Sequence, residues 1–210
     1  QTSRITLRPF VAADATQAFA CMSERLSPYT AWQPPRSRAE FRRIWEGWIE
    51  GARAGTELCM TARHTETRKF IGLAGLKRIT SGRPEIGIWV RTELQGRGHC
   101  LEMVQALIRR GSGRFSPDHF RYPVALDNRP SRRIAEKLGG TIIGRYRTRK
   151  HDGVIYAIPP MGTARPSFTS GTSLPGFMMP SGSSAALIAA MTLTASPCWA
   201  RIRGRLPTPT

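Results

Sequence analysis

Acidic residues are scarce in this chain. Its 210 residues carry 14 Asp and Glu against 32 Lys and Arg, a formal net charge of +18. Such a field repels polycationic partners and draws in acidic ones: nucleoside phosphates, RNA-rich particles or anionic surfaces. A merely solvated basic surface is the plainer reading of the same balance. Cysteines are few and scattered at Cys21, Cys59, Cys100 and Cys198, with no C-x-x-C pair. That spacing argues against a disulfide framework and against a metal site. Reduced thiols in the cytoplasm are the simpler expectation. Long apolar runs are also missing. The longest, Ala185 to Ala195, is broken by Thr192 and Thr194, too short and too polar for a membrane span. The opening Gln1-Thr2-Ser3-Arg4-Ile5 lacks the apolar stretch of a secretory signal. The expectation is a cytoplasmic protein with no membrane contact.

Composition divides the chain near Met161. From there to Thr210 half of the residues are Gly, Pro, Ser or Thr, and none is acidic. A stretch so poor in periodic hydrophobicity is expected to be a low-complexity, disordered basic tail over 161–210, with Ala185–Leu193 as one short helix. Of the 32 basic residues, 28 precede Met161, so the charge belongs to the segment 1–160 expected to fold.

Periodicity over 1–160 alternates between the two structural repeats. Arg4–Arg8 reads as a strand. Asp14 is placed to cap a helix through Leu26. Ser37 with Glu40 suggests a capping box for a helix to Ala54, closed by Gly55, with Phe41, Ile44, Trp45, Trp48 and Ile49 on one face. Strands follow at Glu57–Arg63, Lys69–Ile79 and Pro84–Val90. A helix-like run covers Leu101 to Arg110. Then come a strand at Arg121–Leu126, a helix from Asn128 to Gly139-Gly140, and a hairpin of Thr141–Arg149 with Val154–Ile158. The order β-α-α-β-β-β-α-β-α-β-β predicts an α+β fold, a mixed, mostly antiparallel sheet flanked by helices. Its one parallel crossover runs through the helix after Val90.

The chemistry concentrates where that crossover begins. Gln95-Gly96-Arg97-Gly98-His99-Cys100 lies between the strand Ile86–Val90 and the helix. A glycine-bearing turn that opens a helix offers unpaired N–H groups and the positive end of the helix dipole to an anion. Glycine allows the close approach and the positive φ.

This turn resembles the Q/R-x-x-G-x-G/A turn of the GCN-five-related N-acetyltransferase (GNAT) superfamily, matching at Gln95 and Gly98. The strand Glu85-Ile86-Gly87-Ile88-Trp89-Val90 before it fits the same family. Asn128-Arg129-Pro130-Ser131, Glu136-Lys137-Leu138-Gly139 and the opening Arg4-Ile5-Thr6-Leu7-Arg8-Pro9-Phe10 resemble the branch that includes the ribosomal-protein-alanine acetyltransferases. The resemblance covers about residues 3 to 160. It implies the acyl-CoA N-acyltransferase fold and transfer of acetyl from acetyl-CoA, with no metal, to a primary amine. It places pyrophosphate on the backbone of Gln95, Gly96, Arg97, Gly98, His99 and Cys100 and the pantetheine arm beside Trp89 and Val90, where strands four and five splay. Asn128 would both cap its helix and touch the cofactor arm. A backbone N–H near Val90 would stabilise the oxyanion.

Two side chains stand out as catalytic candidates. Glu85 is the candidate general base, acting through a water; the competing reading is a solvated strand-end carboxylate. Ser131 is the candidate partner of the leaving thiolate. The tyrosine that many relatives place seven residues after the asparagine is here Ala135, and Ser131 otherwise sits in a helix's first turn. Three departures accompany the match. Cys100 replaces Gly or Ala, and a helix start should lower its pKa. Gly140 replaces an aromatic, which should loosen a core contact. His99 reads as a surface residue, as do His64, His119 and His151. Trp45 and Trp48 read as core, and Trp32 as a loop residue over the cleft.

The leading acceptor is a protein N-terminal α-amino group, because its pKa of about 8 lies well below the ~10.4 of lysine. The partner so implied is a ribosomal protein N-terminus, with weak electrostatic RNA contact, for a monomer or homodimer. A small amine or an aminoglycoside is the alternative within the class. A catalytically inactive basic RNA- or ribosome-binding protein on the same fold is the alternative outside it.

Overall fold

The computed structural model describes residues 4–22, 29 and 33–162. The expected tail from Thr163 onward, its helix at Ala185–Leu193, the stretch from Ser23 to Leu26 and Trp32 lie outside the described residues.

Eleven principal elements follow the expected order. They are β1 (Ile5–Pro9), α1 (Ala15–Cys21), α2 (Arg38–Arg53), β2 (Leu58–His64), β3 (Phe70–Lys77), β4 (Glu85–Val90), α3 (His99–Phe115), β5 (Phe120–Ala125), α4 (Arg129–Lys137), β6 (Thr141–Arg147) and β7 (Asp152–Ile158). The seven strands form one sheet in the order β1-β2-β3-β4-β5-β7-β6. All neighbours are antiparallel except β4 and β5, which share a single parallel pair, Glu85 with Arg121.

Two cores cover the sheet. On one face α3 buries Met103, Val104, Leu107 and Ile108, and α4 buries Ala135, against Ile86, Val90, Phe120, Tyr122, Val124 and Tyr156. The opposite face carries a smaller, aromatic core. There Phe10, Phe41, Trp48, Phe70, Leu73 and Trp89 pack beneath α1 and α2. Phe10 and Trp48 meet edge to face at 5.3 Å, a preferred aromatic geometry. Trp48 is therefore core, while Trp45 is half-buried at that core's margin.

Local chemistry explains the helix ends. Ser37 Oγ accepts from the Glu40 N–H at 3.1 Å, and Glu40 reaches back to the Arg36 N–H at 2.7 Å. The reciprocal box thus closes one residue earlier than expected. Asn128 Oδ1 accepts from the Ser131 N–H at 3.2 Å and caps α4.

Two expectations change. Asp14 makes no side-chain cap for α1. Its carboxylate is buried and binds Arg8 at 2.5 and 2.8 Å, Arg63 at 3.0 Å and Thr61 Oγ1 at 2.8 Å. It ties β1, β2 and the start of α1 together. Gly140 does not loosen the core, because a Cβ there would lie 2.8 Å from the Ala135 carbonyl oxygen and 3.2 Å from Ile158.

Among the described residues no helix is long and apolar enough to cross a membrane, and no cluster of His, Cys, Asp and Glu could hold a metal ion.

Candidate active site

The hydrogen-bond direction along β4 decides what it offers. The Arg91 N–H donates to the Ile71 carbonyl at 3.0 Å, in register with the β3–β4 ladder. Antiparallel pairing alternates, so odd residues of β4 point their backbone groups at β3. Ile86, Ile88 and Val90 point theirs the other way, towards β5. On that side the Arg121 N–H donates to the Pro84 carbonyl at 2.8 Å and the ladder stops after Glu85. No strand pairs with Ile88 or Val90 on this edge. The splay is the expected one, and the backbone groups it leaves without a strand partner are those of Ile88 and the N–H of Val90. Trp89 contributes differently: its indole is buried in the α1–α2 core and its backbone faces Leu73 of β3.

The glycine turn follows at the open end of the gap. Gly96 and Gly98 have φ of +73° and +84°, a region that favours glycine. Gly98 is the residue before α3. The Gln95 amide donates to the Val90 carbonyl at 3.1 Å, joining turn to strand. Arg4 braces the other side by donating to the Arg97 carbonyl at 3.2 Å and by pairing with Glu102 in the first turn of α3. Sequence reading gave Arg4 no role in the turn. Its ninety-three-residue separation from Arg97 leaves no local signal.

Two residues of the turn behave otherwise than expected. His99 is buried, not a surface residue, and its Nδ1 has no hydrogen-bond partner. Burial first, then the neighbouring Arg4, lowers its pKa, which keeps the ring neutral. Cys100 packs against the main core, and burial pushes its thiol up to about 11. Desolvation outweighs the helix start, so the residue is a small core side chain and not a thiolate. His64, His119 and His151 are likewise half-buried. His64 ends β2, and burial lowers the pKa of His119 and His151.

At α4, Ser131 lies in the first turn beside Asn128. Tyr122 of β5 is fully buried, with a hydroxyl that makes no hydrogen bond of ordinary geometry. Burial raises its pKa well above the phenol range; Ser131 opposes that shift weakly and Cys100 adds to it. The Tyr122 hydroxyl therefore lies within electrostatic reach of both Ser131 at the start of α4 and Cys100 at the start of α3. This phenol reaches that region from β5, whereas the sequence pattern sought one at Ala135 on α4.

The α1–α2 face of the sheet carries a row of alternating charge. Lys77 is opposite Glu85, and Glu85 is paired with Arg121, 3.9 Å away. Continuing the β2–β3 register one residue before Leu58 puts Glu57 beside Lys77. Glu57 is buried, and burial raises its pKa while Lys77 partly offsets the rise. Glu85 itself is half-buried, at the closed end of the splay where β4 and β5 last pair.

A protein-family model described as the acetyltransferase (GNAT) domain matches residues 4–141. No curated protein matches the chain. Solved structures do. A ribosomal L7/L12 α-N-protein acetyltransferase in complex with coenzyme A superposes with a TM-score of 0.68 at 20% identity, over 76% of this chain and 96% of that one. A spermidine N-acetyltransferase from Vibrio cholerae, with coenzyme A and spermine, gives 0.66 at 17% over 75% and 96%. An acetyltransferase from Salmonella typhimurium that modifies the N-terminal serine of L7/L12 gives 0.65 at 19% over 75% and 96%. At these identities the likeness is one of fold.

Proposed function

This chain belongs to the GNAT acetyltransferase family, and on that premise we propose that it moves acetyl from acetyl-CoA to a protein N-terminal α-amino group. The observation that carries the proposal is the gap between β4 and β5, where the Ile88 backbone and the Val90 N–H face no strand among the described residues, above a glycine-opened helix start. The unpaired N–H groups of the first turn of α3 receive the pyrophosphate, and exposed Arg97 adds charge. The Ile88 and Val90 backbone extends the sheet with the pantetheine arm, flanked by Asn128. One of those N–H groups polarises the thioester carbonyl where negative charge develops.

In the reaction the amine nitrogen forms the new C–N bond and the C–S bond breaks. Glu85 takes the amine's proton through a water, at the closed end of the splay. Ser131 donates a hydrogen bond to the departing thiolate, and the buried Tyr122 hydroxyl steadies Ser131 from behind. Because an α-amino group titrates near 8 and a lysine near 10.4, the α-amine costs about 3 kcal/mol less to deprotonate at one pH.

Charge favours this acceptor over a polycation. The carboxylates in the row on the cleft face, Glu57 and Glu85, each stand beside a cation, Lys77 or Arg121. A polyamine needs several unopposed carboxylates, and the net charge of +18 repels it.

The test is thermal unfolding with and without acetyl-CoA, followed by turnover on an Ala- or Ser-starting peptide. We expect acetyl-CoA to raise the Tm. Glu85→Gln should keep that rise and lose turnover at least about a hundredfold. No rise and no transfer would instead favour a basic binding protein that keeps the fold without the chemistry.

A further inference from the structure

Under α2, over β2, β3 and β4, lies a small hollow of about 20 Å³, room for one methyl-sized or hydroxymethyl-sized group. Trp48 and Trp89 wall it, Gly75 and Gly87 lie across its floor as register partners, and Glu57 and Lys77 close its end. The two glycines are there for different reasons. A Cβ on Gly75 would lie 2.8 Å from the Leu58 carbonyl, so close strand approach excludes a side chain. A Cβ on Gly87 would meet nothing within 4 Å. Neither close approach nor positive φ demands glycine at position 87; its missing side chain leaves room in the hollow. Gly87 is also the immediate neighbour of Ile88, whose backbone edges the splay.

Glu57 gives the hollow its polarity. Only 9% of the residue is exposed, and its carboxylate receives no hydrogen bond from a described side chain. The lining is otherwise apolar apart from Lys77, with Leu58, Cys59, Leu73 and Leu76 around it. The titratable and charged groups facing Glu57 are Lys77 from β3, Cys59 from its own strand and, one strand further, Glu85. α2 presents Trp48 and Gly51 to this region.

We propose that this hollow receives the side chain of the acceptor's first residue, that Gly87 gives it its depth, and that Glu57 selects small apolar or hydrogen-bond-donating side chains while rejecting acidic ones. This rests on the α-amine reading above. A first-residue methyl or hydroxymethyl group enters between the tryptophans, and a serine hydroxyl finds an acceptor in Glu57. An acidic first residue would set a second carboxylate against a desolvated one, which costs several kcal/mol between like charges at an interface. The apolar lining adds to that penalty by desolvating the incoming carboxylate as well.

The experiment measures kcat/KM on peptides identical except for a first residue of Gly, Ala, Ser or Asp. Wild type, Gly87→Val, Gly87→Ala and Glu57→Gln are compared, with the acetyl-CoA thermal shift as the check that each variant is folded. Wild type should prefer Ser over Asp by at least about tenfold. Gly87→Val should lower the Ser-to-Gly ratio by at least about tenfold, and Gly87→Ala should lower it less. Glu57→Gln should shrink the preference for Ser over Asp. Equal transfer to all four peptides, or ratios that the variants leave unchanged, overturns this proposal alone. No transfer to any peptide by a wild-type protein that binds acetyl-CoA overturns both this proposal and the α-amine reading.

Discussion

Buried polar residues here divide between the fold and the proposed chemistry, and their partners tell which. Asp14 carries the fold. Burial alone would raise its pKa, but Arg8, then Arg63, Thr61 and the Val11 N–H outweigh that and lower it. A carboxylate whose folded pKa lies below the unfolded ~3.9 stabilises the fold fully above that value. Its contribution fades as pH falls through the lowered folded value. Asp14→Asn should cost about 3–5 kcal/mol at neutral pH, since two guanidinium groups lose their buried partner. The difference in Tm between wild type and Asp14→Asn should narrow below about pH 4, as read by thermal melts from neutral to acid pH. In the proposed mechanism Tyr122 serves the chemistry by steadying Ser131. Tyr122→Phe should lower kcat about tenfold, the size of one polar contact made in the transition state in a dry site, and leave the KM for acetyl-CoA unchanged. In a Ser131→Ala background the same change should have little further effect. A purely structural tyrosine would give the same loss in both backgrounds, so a double-mutant cycle separates the two.

At the scale of the element, α3 shows what the chain discloses of itself. The sequence suggests a helix over Leu101–Arg110, and the structure extends it to His99–Phe115. The helix runs through Gly111-Ser112-Gly113, where Gly111 and Ser112 have tertiary reasons to be small or polar and Gly113 has none. A Cβ on Gly111 would meet the Phe120 ring at 2.8 and 2.9 Å and Leu76 at 3.0 Å. The buried Ser112 hydroxyl accepts the Met161 N–H at 2.9 Å. Gly113 faces open space. Alanine in a helix gains up to about 1 kcal/mol over glycine, whereas overpacking a core costs about 1–3 kcal/mol. Gly111→Ala should therefore lower the Tm and Gly113→Ala raise it, by a few degrees each. Strand order, helix count and the glycine turn were legible because they rest on period and on local backbone needs. The buried state of His99, the raised thiol of Cys100, the brace from Arg4 and the phenol of Tyr122 were not. Each depends on a partner distant in the sequence, and no spacing rule encodes such a partner. Trp89 divides in the same way: its place on β4 was legible, but the face its indole takes depends on the helices that cover it.

For the whole molecule, three features meet in one direction of chemistry. The net charge draws in an anionic cosubstrate and repels a polycationic acceptor. Among the described strands the sheet opens between β4 and β5, beside a helix start that offers N–H groups to phosphate. The family match spans both strands and α4. The most direct test of the proposed activity is fragmentation mass spectrometry of a Ser-starting peptide with one internal lysine, after incubation with the protein and acetyl-CoA. The proposed site predicts one acetyl group, on the α-nitrogen, and only when acetyl-CoA is present. Acetyl on the lysine alone, or an unmodified peptide beside an acetylated polyamine in the same mixture, would contradict it.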